Sequence, residues 1–248
     1  MYIMPIIRYH KMMNQLNHRI GPYRIVEWLI IAVFVYFFLV LERMMLAKLT
    51  IFLVSVVVHE VAHGVAAFWC GDTTAKQQGR LSLNPMRHVD PLGSVILPLM
   101  LVMSKSPFLF GWAKPVPVQP QYLNDPPNDM VKVAIAGPLS NISLAVCFST
   151  AIKLMVVLFP TVLVGLPWLA QLLGHGVFIN ILLAVFNMVP IPPMDGSRVL
   201  YRFLGPSGQS FLDRIEPYGL LIILVLMFFD VFSFVLHVLV YPLTQLLL

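Results

Sequence analysis

Val56-Val57-Val58-His59-Glu60-Val61-Ala62-His63-Gly64 is the stretch on which the reading of this chain turns. It has the form H-E-x-x-H and lies inside an apolar run from Leu49 to Cys70. On a helix, residues four apart share a face. His59 and His63 therefore point at a common position, with Glu60 beside them. The bland reading is a pair of hydrogen-bonded core histidines and a paired glutamate. Against it stands the setting: ionisable side chains inside a membrane segment are costly and mark function by default.

That the setting is a membrane follows from composition. The chain has 248 residues, 59% of them hydrophobic and 11% charged, and a mean hydropathy of +0.85. Soluble domains carry roughly 25% charged residues. Its apolar runs reach the roughly 20 residues that a bilayer demands. The net charge of +5 sits mostly in short connecting segments, so it reads as a topology signal and not as a nucleic-acid surface. Cys70 and Cys147 stand apart with no C-x-x-C spacing, which suggests neither a disulfide framework nor a thiolate zinc site.

Read in order, residues 1–24 form a basic cytoplasmic segment, and residues 25–248 form one membrane-embedded domain. Residues 25–46 read as a first span and 49–70 as a second, stopped at Gly71-Asp72. The 72–90 segment is polar and basic. Within it, Gly79 to Pro85 alternates apolar and polar, the pattern of a short strand as well as of a plain loop. Pro98, Ser104-Lys105-Ser106-Pro107 and Gly111 interrupt 91–111, which reads as a re-entrant or partly embedded hairpin, with a short sixth full span as the alternative. Lys114-Pro115-Val116-Pro117-Val118 predicts an extended edge segment. Further spans are expected over 130–159 and 171–190, with a chargeless linker 160–170 between them. Residues 216–248 read as one long or two short apolar segments. The expected architecture is an all-α polytopic membrane protein with about five to six transmembrane helices, a re-entrant hairpin and short membrane-associated strands. Lysine and arginine in the N-terminal, 72–90, 111–132 and 197–214 segments put those segments in the cytoplasm.

Two imidazoles do not complete a catalytic zinc site, which uses three protein ligands and keeps a fourth position open. Asp195 fits as the third. It follows Pro190, Pro192 and Pro193 at the end of a span, and Gly196 lets the chain turn sharply beside an ion. The competing reading makes Asp195 the cap of a helix beginning near Ser197. Glu216, Asp230 and His175 are other candidates.

His59-Glu60-x-x-His63 in one span and Asn187-x-x-Pro190-x-Pro192-x-x-Asp195-Gly196 in a later one resemble the two signatures of the site-2 protease family. The likeness extends to Gly79–Pro85, His88–Gly93, Gly111–Val118 and Ala136–Asn141, which resemble the compact subgroup without a PDZ domain. It covers roughly residues 45–205. Met194 departs from the family's usual leucine, a volume-conserving change. The resemblance implies an intramembrane zinc metalloprotease with a catalytic core of about 49–205. It implies one Zn²⁺ per chain held by His59, His63 and Asp195, with Glu60 as general base and Asn187 stabilising the oxyanion. Asn141 is a further candidate for the same cavity. The implied partners are the lipid bilayer and a transmembrane protein substrate, unwound against 79–85 and 114–118. The implied place is the bacterial plasma membrane, active site toward the cytoplasm. Oligomeric state is not legible.

A metal or proton transporter would also place His, Glu and Asp within spans, but it needs a polar path on both sides, and the outer halves of these spans offer little. An idle scaffold that binds membrane helices has no need of Glu60. A bis-histidine haem site is excluded by spacing, since histidines four apart on one helix cannot take opposite faces of one ring.

Overall fold

The structure, a computed structural model, describes Trp28, Ile31, residues 43–97, Met100 and residues 113–248. The basic segment 1–24 lies outside the described residues, as do most of the expected first span and most of the expected hairpin. The chain divides into two compact units: residues 1–43 with 90–112, and residues 44–89 with 113–248. In the first, Asp90 begins a short wide helical turn, Pro91–Ile96. Its carboxylate accepts the N–H groups of Leu92 and Gly93 at 3.0 and 2.7 Å, as N-cap carboxylates do.

The second unit carries the rest of the fold. Helix α1 is Arg43–Trp69. Its sequence counterpart, 49–70, began later because the expectation followed the apolar run, whereas Arg43 to Lys48 are good helix formers that prolong the helix past it. A short helix α2, Thr74–Gln77, leads into Gly79, whose φ of +63° suits glycine. Helix α3 is Pro126–Leu158, opened by prolines that fit a first turn. The expected linker 160–170 is itself largely helical, as α4, Pro160–Gly165, followed by α5, Pro167–Asn187. Short helices α6, Asp195–Phe203, and α7, Pro206–Ile215, follow. The C-terminal apolar stretch is two segments, α8, Gly219–Phe228, and α9, Val231–Leu247. The break falls at Asp230, which sits at φ 58°.

Among the described residues, α1, α3 and α5 are long and apolar enough to cross a membrane. All regular elements described are helical, and none of the described residues of 79–85 or 114–118 lies in a strand ladder. The alternation and the prolines there did fit the chain's departure from helix. What they could not specify were the partners, which include the side chains of Glu60 and Arg80 as well as the His88 carbonyl.

Helix α3 packs along α5 and α6. Ala145, Val177, Ile181 and Val240 form a buried cluster between α3, α5 and α9. Phe186 stacks on Phe232 at 4.6 Å, and Ala67, Leu123 and Val133 bury the lower end of α1. Nearer the middle the packing turns polar. Asn141 on α3 is fully buried and donates to the Ser55 carbonyl on α1 at 3.3 Å and to Asn180 Oδ1 on α5 at 3.0 Å. Asn180 in turn donates to the Gly176 carbonyl. A buried amide costs heavily unless bonded, so this network fixes the register of three helices around one level, the level of His59.

Candidate metal centre

His59 and His63 lie on α1, ten and six residues before its end, so His59 sits about 15 Å along the axis from Trp69. They are 6% and 9% exposed. Each ring spends its Nδ1 on a group that can only accept. His59 Nδ1 donates to Asn141 Oδ1 at 2.6 Å, and His63 Nδ1 donates to the Val133 carbonyl at 2.7 Å. The Asn141 amide is oriented unambiguously, because its nitrogen is committed to Ser55 and Asn180. With Nδ1 protonated on both neutral rings, both Nε2 atoms are bare acceptors.

Those two atoms meet a third acceptor. His59 Nε2 lies 3.0 Å from His63 Nε2. Asp195 Oδ2 lies 3.1 Å from the first and 3.3 Å from the second. Three lone-pair atoms at this spacing repel unless a cation draws them together. The donor set of two imidazoles and one carboxylate suits Zn²⁺, and tetrahedral Zn–N bonds of about 2.0–2.1 Å put neighbouring ligand atoms about 3.3 Å apart. Among the described residues, His59, His63 and Asp195 are the His/Cys/Asp/Glu group placed to hold a metal ion. The Nδ1 bonds are the outer partners that orient histidine ligands.

Asp195 reaches this point because the chain is tightly folded after α5. The side chain does not cap α6, so the helix-cap reading does not hold. A Cβ on Gly196 would lie 2.2 Å from the Met188 carbonyl oxygen; only glycine lets the start of α6 rest on the Met188-Val189 turn. Gly137 on α3 does the same for the rings. A Cβ there would lie 2.5 Å from His63 Nε2 and 2.6 Å from His59 Cε1, so α3 approaches the imidazoles closely enough that any side chain would displace them.

Glu60 is bonded to a different segment. Its Oε2 accepts the N–H of Val116 at 2.8 Å. The segment around Val116 lies along α1 as a strap: Val116 packs on Gly64, and Gln119 N–H donates to Asp72 Oδ2 at 2.7 Å. Asp72 is buried and also accepts Thr74 N–H at 2.9 Å. Burial raises its carboxyl pKa, but the Gln119 and Thr74 hydrogen bonds outweigh that and hold it below the usual range.

Asn187 is not brought to the imidazoles by a hydrogen bond; its amide donates to the Leu183 carbonyl one turn back at 2.9 Å. The other ligand candidates lie apart from the cluster. Asp230 accepts the Ser233 hydroxyl, His175 rests near Phe178, and Glu216 opens a short turn before α8. Sequence reasoning missed Gly137, Ser55 and Asn180 as parts of the site. Gly137 had a signal in the Ala136-Gly137-Pro138 run, whereas Ser55 and Asn180 are single polar letters in apolar helices.

The profile of peptidase family M50 matches residues 167–229. The chain is 37% identical over 185 residues to the Bacillus subtilis protein named "Putative zinc metalloprotease YwhC", across 74% of this chain and 81% of that one. It is 31% identical over 175 residues to Rip2 of Mycobacterium tuberculosis, which bears the same description, across 70% of this chain and 63% of Rip2. A Methanocaldococcus jannaschii protein, MJ0611, also so described, shares 45% over 74 residues, 30% of this chain and 35% of its own. No solved structure gives a significant match.

Proposed function

The chain belongs to peptidase family M50, the site-2 proteases, and from that premise we propose how its residues act. It is an intramembrane zinc metalloprotease. Its substrates are membrane proteins, cut at peptide bonds in or near transmembrane segments. The observation that carries this reading is the meeting of His59 Nε2, His63 Nε2 and Asp195 Oδ2 within 3.3 Å, with both Nδ1 protons already committed.

His59, His63 and Asp195 would hold Zn²⁺, which when bound would supply Lewis acidity for activating water and a carbonyl. Glu60 takes the proton from the attacking water on its carboxylate and later delivers it to the leaving amine nitrogen. Asn187 gives its amide hydrogens to the oxyanion, which requires the side chain to leave the Leu183 carbonyl. Gly137 and Asn141 keep the two rings in place. The substrate helix unwinds before its carbonyl is reachable, so helix-breaking residues in the substrate assist. The segments 79–85 and 114–118 receive the unwound strand. Pro115 and Pro117 have no N–H, and the carbonyls of Lys114 and Pro115 already accept from Arg80, so the substrate would meet the carbonyls of Val116, Pro117 and Val118.

The catalytic core spans about 49–205 within a multi-pass membrane domain. The basic segments after α1 and α6 support a cytoplasmic active site. Family membership does not favour the transporter or the idle scaffold. The test is cleavage of a reconstituted single-span substrate carrying a helix-breaking residue, by wild type and by Glu60→Gln. Cleavage by wild type alone is expected; equal cleavage by both overturns the assignment.

A further inference from the structure

Glu60 has two carboxylate oxygens, and the fold treats them differently. Oε2 accepts Val116 N–H. That N–H is the one amide between two prolines, in a strap that has no ladder to hold it. The strap is held instead by Arg80, whose Nη2 donates to the carbonyls of Lys114 at 2.7 Å and Pro115 at 3.2 Å. Lys114 N–H closes the same corner by donating to the His88 carbonyl at 2.8 Å. His88 is buried and anchors the loop through Nε2 to the Ser82 carbonyl at 2.8 Å.

Arg80 is itself unusual. It is 6% exposed, and its Nε has no hydrogen-bond partner. A buried guanidinium is costly unless bonded and paired. Burial pushes Arg80 down from the usual guanidinium range, and the charge of Glu60 pushes it back up. The cation is thus held at a cost where it fastens the two carbonyls that precede the amide on Glu60.

We propose that Arg80 is a positioning residue for the general base. By fixing the carbonyls of Lys114 and Pro115 it holds Val116 N–H on Oε2 of Glu60, leaving Oε1 as the oxygen that exchanges the proton. This rests on the protease reading for its consequence, and on hydrogen bonds alone for its geometry. Both bonds leave the single Nη2 nitrogen; a lysine at position 80 also carries several N–H donors, but on a flexible stem without the pre-organised guanidinium plane.

The strap suits a direct test. Prolines 115 and 117 leave only Lys114, Val116, Val118 and Gln119 as exchangeable amides in 114–119. Residue-resolved hydrogen exchange on zinc-loaded wild type, Glu60→Ala, Arg80→Ala and Arg80→Lys, with zinc per chain and kcat and KM measured alongside, reads the contact and its effect separately. Val116 exchange is expected to quicken at least tenfold in Glu60→Ala while Lys114 stays protected. In Arg80→Ala, Val116 is expected to be released too, with kcat lower by on the order of 10–10²-fold and zinc and KM held. Arg80→Lys should fall between, and it serves as the test if Arg80→Ala does not fold. Unchanged Val116 exchange in Glu60→Ala overturns the proposal. So does wild-type kcat in an Arg80 variant whose Val116 is released, or loss of zinc in both Arg80 variants. If wild type turns over no substrate, the protease reading fails, while the exchange comparison still decides the Arg80–Val116–Glu60 linkage.

Discussion

His59 donates its Nδ1 hydrogen to Oδ1 of Asn141, 2.6 Å away and fully buried. This one bond sets the tautomer of the ring, and the tautomer decides that Nε2 presents a lone pair to the metal centre. Removing the acceptor leaves the ring free to rotate and to exchange its proton between nitrogens. Asn141→Ala is therefore expected to weaken zinc binding by about 10–100-fold, the usual cost of losing such an outer partner. Competition with a chelator of known affinity measures it, and wild-type affinity would remove Asn141 from the site.

Gly137 makes room for the rings. A methyl group there would lie 2.5 Å from His63 Nε2, well inside contact distance, and the neighbours are the ligand atoms themselves. Gly137→Ala is expected to fold and insert but to retain little zinc. A full complement of metal in a folded variant would show that α3 yields instead of the imidazoles.

Glu60→Gln keeps the shape of the side chain and removes its ability to take a proton. The expected result is full zinc content with cleavage abolished, measured by elemental analysis and by product formation on the same preparation. Asn187→Ala is expected to keep zinc and to lose about 10²–10³ in rate, by analogy with other oxyanion donors; an unchanged rate would leave the oxyanion to other groups.

Asp72 ties the end of α1 to the strap through Gln119 N–H, and its folded pKa lies below its ordinary value. A depressed carboxylate pKa stabilises the fold above the unfolded pKa, about 3.9, and that stabilisation drains away as pH falls through the folded value. Wild type is thus expected to be more heat-stable than Asp72→Asn at neutral pH, with the gap closing below about pH 3.9. Unfolding midpoints of the two proteins across that range check the sign; a gap independent of pH would contradict it.

The three residues proposed as metal ligands stood out in the sequence because they are functional letters in apolar surroundings. His59 and His63 are tied by helical spacing, and Asp195 by the proline-broken end of a span. Helix α1 began earlier than its apolar run because propensity continues where hydropathy stops. The 216–248 stretch hid its break at Asp230, since ten apolar residues on one side give no period to read. The strap was legible as non-helical from its prolines, but its pairing was not: Glu60 and Val116 are 56 positions apart, and no local pattern joins them. Asn141 stood out only through the family resemblance, and Ser55 and Asn180 not at all, because a polar residue in a helix does not announce which neighbour it bonds.

The central claim is that three residues from two distant segments hold one ion. Metal content of detergent-purified wild type and Asp195→Ala, determined side by side, tests it most directly. About one zinc per chain is expected in wild type, with a clear loss in the variant. Zinc unchanged in Asp195→Ala would contradict it and move the third ligand elsewhere.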